Sequence, residues 1–220
     1  MTDTAFVIRR SRRRTAQPEG RFEYRVWPRI SPPAVSHLHR FWPLTHAERR
    51  SDIYLVHPGS DRALVKLRGG GRLEMKRHDC DVGRIQHWVM AVSTGFPLSV
   101  QRLEELAGAL SLRDGLPATA GLSPAHLVAQ WDALSGTIGA QTVQKSRLLF
   151  QRDECRAEIC RVSMAGWRGL TIALEAEDLG AMTAALDELQ LGTLPNRSYG
   201  EALLRFSSMQ DRRRTLLPIS

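Results

Sequence analysis

Charged and apolar residues alternate along six segments of this chain, and each segment carries two charged residues two positions apart. In a β-strand, residues i and i+2 point to the same face of the sheet. Each segment therefore predicts a strand with one charged face and one apolar face. The six pairs are Glu23 and Arg25, Lys66 and Arg68, Glu74 and Lys76, Lys145 and Arg147, Arg156 and Glu158, and Glu175 and Glu177.

The same patterns place the secondary structure along the chain. Alternation predicts strands over residues 22–27, 52–56, 63–67, 73–77, 141–150, 155–162 and 170–177. Helical spacing predicts helices over 98–112, 123–134, 178–189 and 199–206, with Ser99 as the N-cap of the first. Three prolines between residues 30 and 50 indicate an irregular connection there, with at most one helical turn over 37–41. Residues 83–136 are interpreted as a helical insert between the early and the late strands.

The composition describes one globular domain with an excess of positive charge. The chain has 220 residues, of which 42% are hydrophobic and 25% charged, and no apolar run has the length of a membrane-spanning helix. The net charge of +8 favours acidic partners. We predict a basic flexible arm over residues 1–20, one domain over 21–207 and a basic C-terminal tail over 208–220. The basic ends leave nucleic-acid binding open, although no motif supports it.

The cysteines and histidines give no sign of a metal centre at this stage. Cys80, Cys155 and Cys160 form an odd set without a C-x-x-C spacing, which favours a reduced protein of the cytoplasm. The seven histidines show no metal-like pairing with these cysteines, so a zinc site is not expected.

The charged faces predict a phosphate site if the strands close into a barrel with those faces inside. Lysine and arginine would bind a polyanion, and carboxylates would hold Mg²⁺ or Mn²⁺. The candidate phosphate ligands are Arg25, Lys66, Arg68, Lys76, Lys145, Arg147 and Arg156, and the candidate metal ligands are Glu23, Glu158, Glu175 and Glu177. Glu74 or Glu158 would orient the attacking water. The alternative is that each pair is a solvated face, whose cross-strand ion pairs contribute ~0.2–1 kcal/mol.

The order of these segments resembles that of the CYTH family, the triphosphate tunnel metalloenzymes. The run Arg21-Phe22-Glu23-Tyr24-Arg25 is similar to the family's E-x-E-x-K strand. Residues 52–55, 63–68 and 73–77 resemble its next three strands, and 145–147, 157–159 and 174–177 resemble its later K-x-R, acidic and E-x-E strands. Residues 196–199 resemble the start of its closing helix. The resemblance covers about residues 21–206.

This resemblance implies an α+β fold: an antiparallel, eight-stranded closed β-barrel, or tunnel, with flanking helices and a helical insert. It also implies triphosphate-containing substrates and Mg²⁺ or Mn²⁺. Known activities in the family are hydrolysis of inorganic or organic triphosphates and class IV adenylate cyclisation. By position, Glu23 matches the second acid of the first motif and Arg25 its lysine. Arg21 replaces the first acid, and Cys160 stands where a further aspartate is common.

These considerations lead to one principal hypothesis and two alternatives for the tunnel. The first is a cytoplasmic, metal-dependent phosphohydrolase acting on tripolyphosphate or another triphosphate-containing substrate. The second is a non-catalytic module that binds polyphosphate or a nucleotide, which Arg21 and the excess of basic residues favour. A class IV-type adenylate cyclase is the third.

Overall fold

The strands of this chain close into a barrel. The computed structural model describes residues 20–110, 112, 116, 121–134, 137–164 and 166–215. The strands are β1 (Gly20–Val26), β2 (Leu44–Val56), β3 (Ala63–Arg68), β4 (Arg72–Val82), β5 (Ile85–Gly95), β6 (Gly139–Arg152), β7 (Cys155–Met164) and β8 (Trp167–Ala176). The helices are α1 (Pro33–Phe41), α2 (Val100–Ala109), α3 (Pro124–Ala133), α4 (Leu179–Leu189) and α5 (Tyr199–Thr215).

The barrel is antiparallel, and its strand order is β1-β5-β4-β3-β2-β6-β7-β8, with β8 pairing back to β1. This confirms the predicted eight-stranded closed barrel and the α+β class. Every neighbouring pair of strands is antiparallel. Closure leaves no sheet edge unpaired, and the side chains of each strand alternate between the interior, called here the lumen, and the outer face.

Most of the hydrophobic core lies outside the barrel, between its outer face and the helices, and a smaller apolar cluster fills the end of the barrel under α5. On one side, Leu38 of α1 and Met182 of α4 pack against the outward side chains of β1, β7 and β8. On another side, Leu103 of α2 and Trp131 of α3 pack against those of β2, β3 and β4. Because the helices bury the apolar faces, the lumen is left for the charged faces.

The prediction of an irregular connection over residues 30–50 is wrong. It contains the helix α1 and the first half of β2. Pro33 occupies the start of α1, where proline is tolerated because the first amide needs no helical partner. Pro43 immediately precedes β2, which then pairs along its full length with β6. The prolines therefore delimit the helix and the strand and do not break them.

The predicted helical insert over residues 83–136 is partly wrong. Its first part is the strand β5, which joins β4 to β1 and supplies the eighth strand of the barrel. The helices α2 and α3 follow β5, and the serines Ser99 and Ser123 cap them by accepting hydrogen bonds from Arg102 N and His126 N. The prediction of Ser99 as an N-cap is confirmed.

The helix α5 covers one end of the barrel. At its start, Ser198 Oγ accepts a hydrogen bond from Glu201 N, and the Glu201 carboxylate accepts one of 2.6 Å from Ser198 N. This reciprocal arrangement is a capping box. Tyr199 and Leu203 then pack with lumen side chains such as Val143 and Met164. The lumen is therefore closed at this end, called here the floor, and opens at the opposite end, the mouth.

The predicted ends of the domain differ from the structure at the C-terminal side. The helix α5 runs to Thr215, beyond the predicted end at residue 206. The predicted N-terminal arm lies outside the described residues, except for Gly20. In the part of the chain that is described, no helix is long and apolar enough to cross a bilayer.

Replacing Gly200 by alanine is expected to lower the free energy of unfolding by about 1–3 kcal/mol, the usual cost of overpacking. The α5 helix approaches the β2–β3 turn at this residue, where a Cβ would lie 1.7 Å from the backbone oxygen of Ser60. Urea unfolding measures the effect. Gly192→Ala, which meets no atom within 4 Å, is the control, and equal stability of the two variants would contradict the close approach.

Candidate functional site

The lumen collects nearly all of the predicted site residues. It comprises an inner cavity of about 70 Å³ and, sharing some of its lining residues, an outer cavity of about 370 Å³ at the mouth. The predicted residues that line them are Glu23, Arg25, Lys66, Arg68, Glu74, Lys76, Lys145, Arg147, Arg156, Glu158 and Glu175. They come from β1, β3, β4, β6, β7 and β8, so the paired charges other than Glu177 share the inner face of one barrel.

Glu177 is the exception among the predicted site residues. It follows the end of β8, its side chain is 74% exposed, and it accepts a hydrogen bond of 3.0 Å from Arg21. The carboxylate therefore belongs to a surface ion pair outside the two cavities. Its predicted role as a metal ligand has no support from this position.

Glu158 is the buried centre of the lumen. Its Oε1 accepts a hydrogen bond of 2.9 Å from Arg25 Nη1, and its Oε2 is paired with the guanidinium of Arg147. Burial alone would raise the pKa of Glu158, but the charges of Arg25 and Arg147 hold it well below its usual range. Burial alone would likewise lower the pKa of Arg25, whereas Glu158 raises it above the usual value. All three groups are therefore charged at neutral pH.

The network continues onto β2 through residues that the sequence analysis missed. Glu48 pairs with Arg147 and also accepts a hydrogen bond of 2.9 Å from Arg50. Arg50 Nε in turn lies 2.9 Å from Asp52 Oδ1. Three lumen charges thus stand at alternate positions of one strand. The E-x-R-x-D spacing was visible in the sequence, but it lay inside and beside a stretch interpreted as irregular.

Lys145 and two tyrosines form the floor of the charged region. Lys145 Nζ donates to Asp52 at 2.8 Å and to the Tyr54 hydroxyl at 2.7 Å. It also lies 4.2 Å from the centre of the Tyr199 ring, and Arg25 lies over the same ring at 4.5 Å. Burial lowers the pKa of Lys145, although the attraction of Asp52 opposes this effect. The aromatic rings therefore hold two cations at the closed end of the lumen.

A second group of charges lies at the mouth. Lys66 Nζ is 3.0 Å from Glu74 Oε2, and Arg68 Nη1 is 3.3 Å from Glu74 Oε1. Burial alone would raise the pKa of Glu74, but Lys66 and Arg68 lower it. The Arg68 side chain is 46% exposed, so its remaining donors face the entrance. Arg156 also lines the mouth and is exposed.

The third group brings two carboxylates together beside a lysine. Glu23 and Glu175 are directly opposite residues of β1 and β8, and both side chains face the lumen. Lys76 is paired with Glu23. Burial alone would raise the pKa of Glu175, whereas the charge of Lys76 lowers it. Glu175 itself has no ion pair within 4 Å among the described residues, so it is an ionised lumen carboxylate without a direct partner.

This donor set fits a divalent cation at Glu23 and Glu175 better than at the other predicted ligands. Both oxygens of Glu158 are occupied by arginines, and Glu177 lies at the surface. Mg²⁺ is commonly held by one or two carboxylates together with waters and substrate phosphates. The facing pair Glu23 and Glu175 offers that arrangement, with Lys76 beside it. No group of three lumen residues within the described ranges has its ligand atoms within 4.8 Å of one another.

Comparison with known proteins yields distant similarities. No family model matches the chain, and no curated protein matches its sequence. Among solved structures, the PH1819 protein of Pyrococcus horikoshii OT3 is 15% identical with a TM-score of 0.44, covering 84% of this chain and 98% of that one. A protein of Bacillus halodurans described as a candidate adenylate cyclase is 12% identical with a TM-score of 0.44, covering 80% and 93%. The Pct1 RNA triphosphatase of S. pombe is 10% identical with a TM-score of 0.32, covering 90% and 82%.

Proposed function

We propose that this protein binds the triphosphate group of a small molecule in the barrel lumen and hydrolyses it with Mg²⁺ or Mn²⁺. The proposal rests on one observation: cationic side chains from six strands, β1, β2, β3, β4, β6 and β7, converge on a cavity that is closed at one end. A triphosphate is extended and carries several negative charges. A ring of lysines and arginines can contact its oxygens from all sides, which a single flat basic surface cannot do.

The mouth is the part of the lumen that admits such a group. Its cavity of about 370 Å³ is lined by Lys66, Arg68, Arg147 and Arg156. The carboxylate partners of Lys66, Arg68 and Arg147 use only some of the available N–H donors. A guanidinium has five N–H donors and an ammonium has three. These cations therefore keep donors for phosphate oxygens while their ion pairs hold them in place. Such preorganised charges stabilise a phosphoryl group without having to move.

The divalent cation would be held by Glu23 and Glu175. When bound, it would neutralise charge on the phosphate oxygens and lower the pKa of a bound water. Glu74 also lines the mouth, in ionised form, and it is the candidate that would orient the attacking water through a hydrogen bond. Glu158, fixed between Arg25 and Arg147, would position those arginines for the phosphates.

A specific observation favours the second candidate, a module that binds triphosphate without hydrolysing it. All of the lumen carboxylates described here except Glu175 are already engaged in ion pairs. A lumen in which acids serve mainly to hold bases would bind an anion and lack a strong metal site. The two candidates differ in whether Glu175 acts as a metal ligand.

Release of phosphate from tripolyphosphate and from ATP, with Mg²⁺ or Mn²⁺ and with a chelator, tests the proposal. We expect metal-dependent release that falls by at least about 10- to 100-fold in Glu175→Gln, since even residues next to metal ligands have effects of that size. Glu177→Gln, which removes an exposed charge two residues away, should keep the activity. Assaying ATP for cyclic AMP and pyrophosphate separates hydrolysis from cyclisation.

The outcomes separate the candidates. Absence of release together with an increase in melting temperature on adding tripolyphosphate would establish binding without turnover. Phosphate release that continues in the chelator, or that is as fast in Glu175→Gln as in the wild type, would contradict the proposed role of the metal. If tripolyphosphate and ATP cause neither phosphate release nor an increase in melting temperature, triphosphate binding itself is overturned.

A further inference from the structure

The outer face of the β4–β5 hairpin carries a cluster of metal-binding side chains that is separate from the lumen. One ligand atom from each of Asp79, Cys80 and His87 lies within 4.8 Å of the others. Within the described ranges of the chain, this is the one group of three such residues that meets this distance. From this juxtaposition we propose that Asp79, Cys80 and His87 bind a transition-metal ion, with Zn²⁺ as the best-matched ion.

A β-bulge creates the cluster. The pairing of β4 with β5 shifts between His78 and Cys80: His78 is opposite Trp88, and Cys80 is opposite His87. Asp79 is the extra residue. In a regular strand, adjacent side chains point to opposite faces, so Asp79 and Cys80 could not both approach His87. The extra residue lets two consecutive side chains reach the same face. Bulges are known to change the direction of side chains in this way.

The backbone of β1 leaves space for His87. A Cβ on Gly20 would lie 2.4 Å from His87 Cε1 and 2.5 Å from Nε2, so the ring occupies the space that a side chain would fill. Its other nitrogen, Nδ1, lies 3.1 Å from Asp79 Oδ2, and the ring packs against Phe22 at a centroid distance of 4.9 Å. The imidazole is thus held with Nδ1 toward Asp79.

The donor atoms match zinc rather than the hard cation proposed for the lumen. A thiolate, an imidazole and a carboxylate are the ligands that bind Zn²⁺, whereas Mg²⁺ prefers oxygen alone. Two ligands at about 2.0–2.3 Å from a zinc ion lie less than about 4.6 Å apart, so small side-chain rotations would bring the three atoms into place. Asp79 and Cys80 are exposed, which leaves a fourth position for water.

The expectation from the sequence that no zinc site exists is therefore replaced by this proposal. The spacing gave no motif because Cys80 and His87 belong to two strands that meet only through the pairing of the hairpin. The neighbours of His87 in sequence, Gln86 and Trp88, line the lumen, and His87 faces outward. An ion at this cluster would tie β4 to β5 outside the barrel and would not contact a triphosphate inside it.

Titration of the full-length protein, purified without metal, with Co²⁺ as a spectroscopic probe tests the proposal. A thiolate bound to Co²⁺ gives a charge-transfer absorption in the near ultraviolet. We expect this band to saturate near one equivalent, with a dissociation constant in the micromolar range or tighter, and to disappear when Zn²⁺ is added. Zn²⁺ alone should raise the melting temperature, because a ligand that binds the folded state stabilises it.

Variants show whether Asp79, Cys80 and His87 bind the metal ion that gives this band. Cys80→Ser and His87→Gln should abolish the band, and Asp79→Asn should weaken binding. Cys155→Ser, which changes a buried thiol elsewhere, and Glu175→Gln, which changes the lumen, should leave the band in place. Far-ultraviolet circular dichroism shows whether each variant is folded. A band that persists in folded Cys80→Ser, or no band in the wild-type protein, would overturn the site.

Discussion

Replacing Glu158 by glutamine is expected to lower the free energy of unfolding by about 3–5 kcal/mol, the usual cost of removing one partner of a buried ion pair. The side chains of Glu158 and Arg25 are only 8% and 10% exposed. In Glu158→Gln, Arg25 would keep its charge in the barrel without this carboxylate, while Arg147 would keep Glu48 as a partner. For a protein of this length, such a loss corresponds to a fall in melting temperature of roughly 6–20 °C, which differential scanning calorimetry measures.

Glu177→Gln is the matched control for this loss of stability. It removes the same charge from a side chain that is 74% exposed and paired with Arg21, so its effect should stay within about 1 kcal/mol. A melting temperature of Glu158→Gln within a few degrees of the wild type would show that the two arginines are solvated and that the lumen is not a low-dielectric site.

The same carboxylate gives the stability a defined dependence on pH. Because the pKa of Glu158 is lower in the folded protein than its ordinary value of 4.5, its contribution is complete above that pH. The contribution is lost as the pH falls from about 4.5 toward the lowered pKa of the folded state. Unfolding measured between about pH 5 and pH 2 should therefore show a shallower loss of stability in Glu158→Gln than in the wild type. Equal slopes would contradict the lowered pKa.

The ion pairs in the lumen are better explained by ligand binding than by the stability of the barrel. Replacing a buried ion pair by packed apolar residues is often neutral or stabilising, so the network is poorly explained as a means of holding the barrel together. Most of the apolar packing that stabilises this chain lies on the outer face, against α1 to α4, and the rest lies at the closed end, under α5. A lumen built from fixed, opposed charges is better explained by an anionic ligand that enters it.

The barrel could be predicted largely because its charged faces repeat at the period of a strand. Six of the eight strands were anticipated in this way, and part of a seventh, β2, was anticipated over residues 52–56. The eighth, β5, was missed because its lumen face carries Gln86 and Trp88 instead of two charges, so the alternation that identified the other strands is weak there. The strand β5 also pairs with both β4 and β1 and so closes the barrel. Local sequence patterns do not show which strands pair with each other.

The site could be predicted as a set of residues but not as an arrangement. The alternation placed Glu23 and Glu175 each on an inward face, but only the pairing of β1 with β8 makes them opposite residues. Likewise, nothing local links Glu158 to Arg25, which are 133 residues apart in the chain. Glu48 and Arg50 were missed for a different reason, because the prolines between residues 30 and 50 had been interpreted as marking an irregular connection. Asp52 begins the predicted strand over residues 52–56, but Tyr54 two positions later carries no charge.

Replacing Lys66 by methionine is expected to weaken binding of tripolyphosphate by about 10- to 100-fold, which corresponds to the loss of one charge-assisted hydrogen bond of roughly 1.5–3 kcal/mol. Lys66 Nζ lines both the inner cavity and the mouth, so it is placed to contact a phosphate at either depth. Glu74 would keep Arg68 as a partner at 3.3 Å, so the variant should fold. Calorimetric titration in the presence of a chelator measures the affinity without turnover.

Arg77→Met provides the matched control for this last prediction, because it removes the same charge from an exposed residue of β4 next to Lys76. Arg77 alternates with the lumen residues of β4 and is absent from the lining of both cavities. If triphosphate binds inside the barrel, Arg77→Met should bind as tightly as the wild type while Lys66→Met does not. An equal decrease in both variants would mean that the anion responds to the overall positive charge of the protein, and the lumen would lose its role as the binding site.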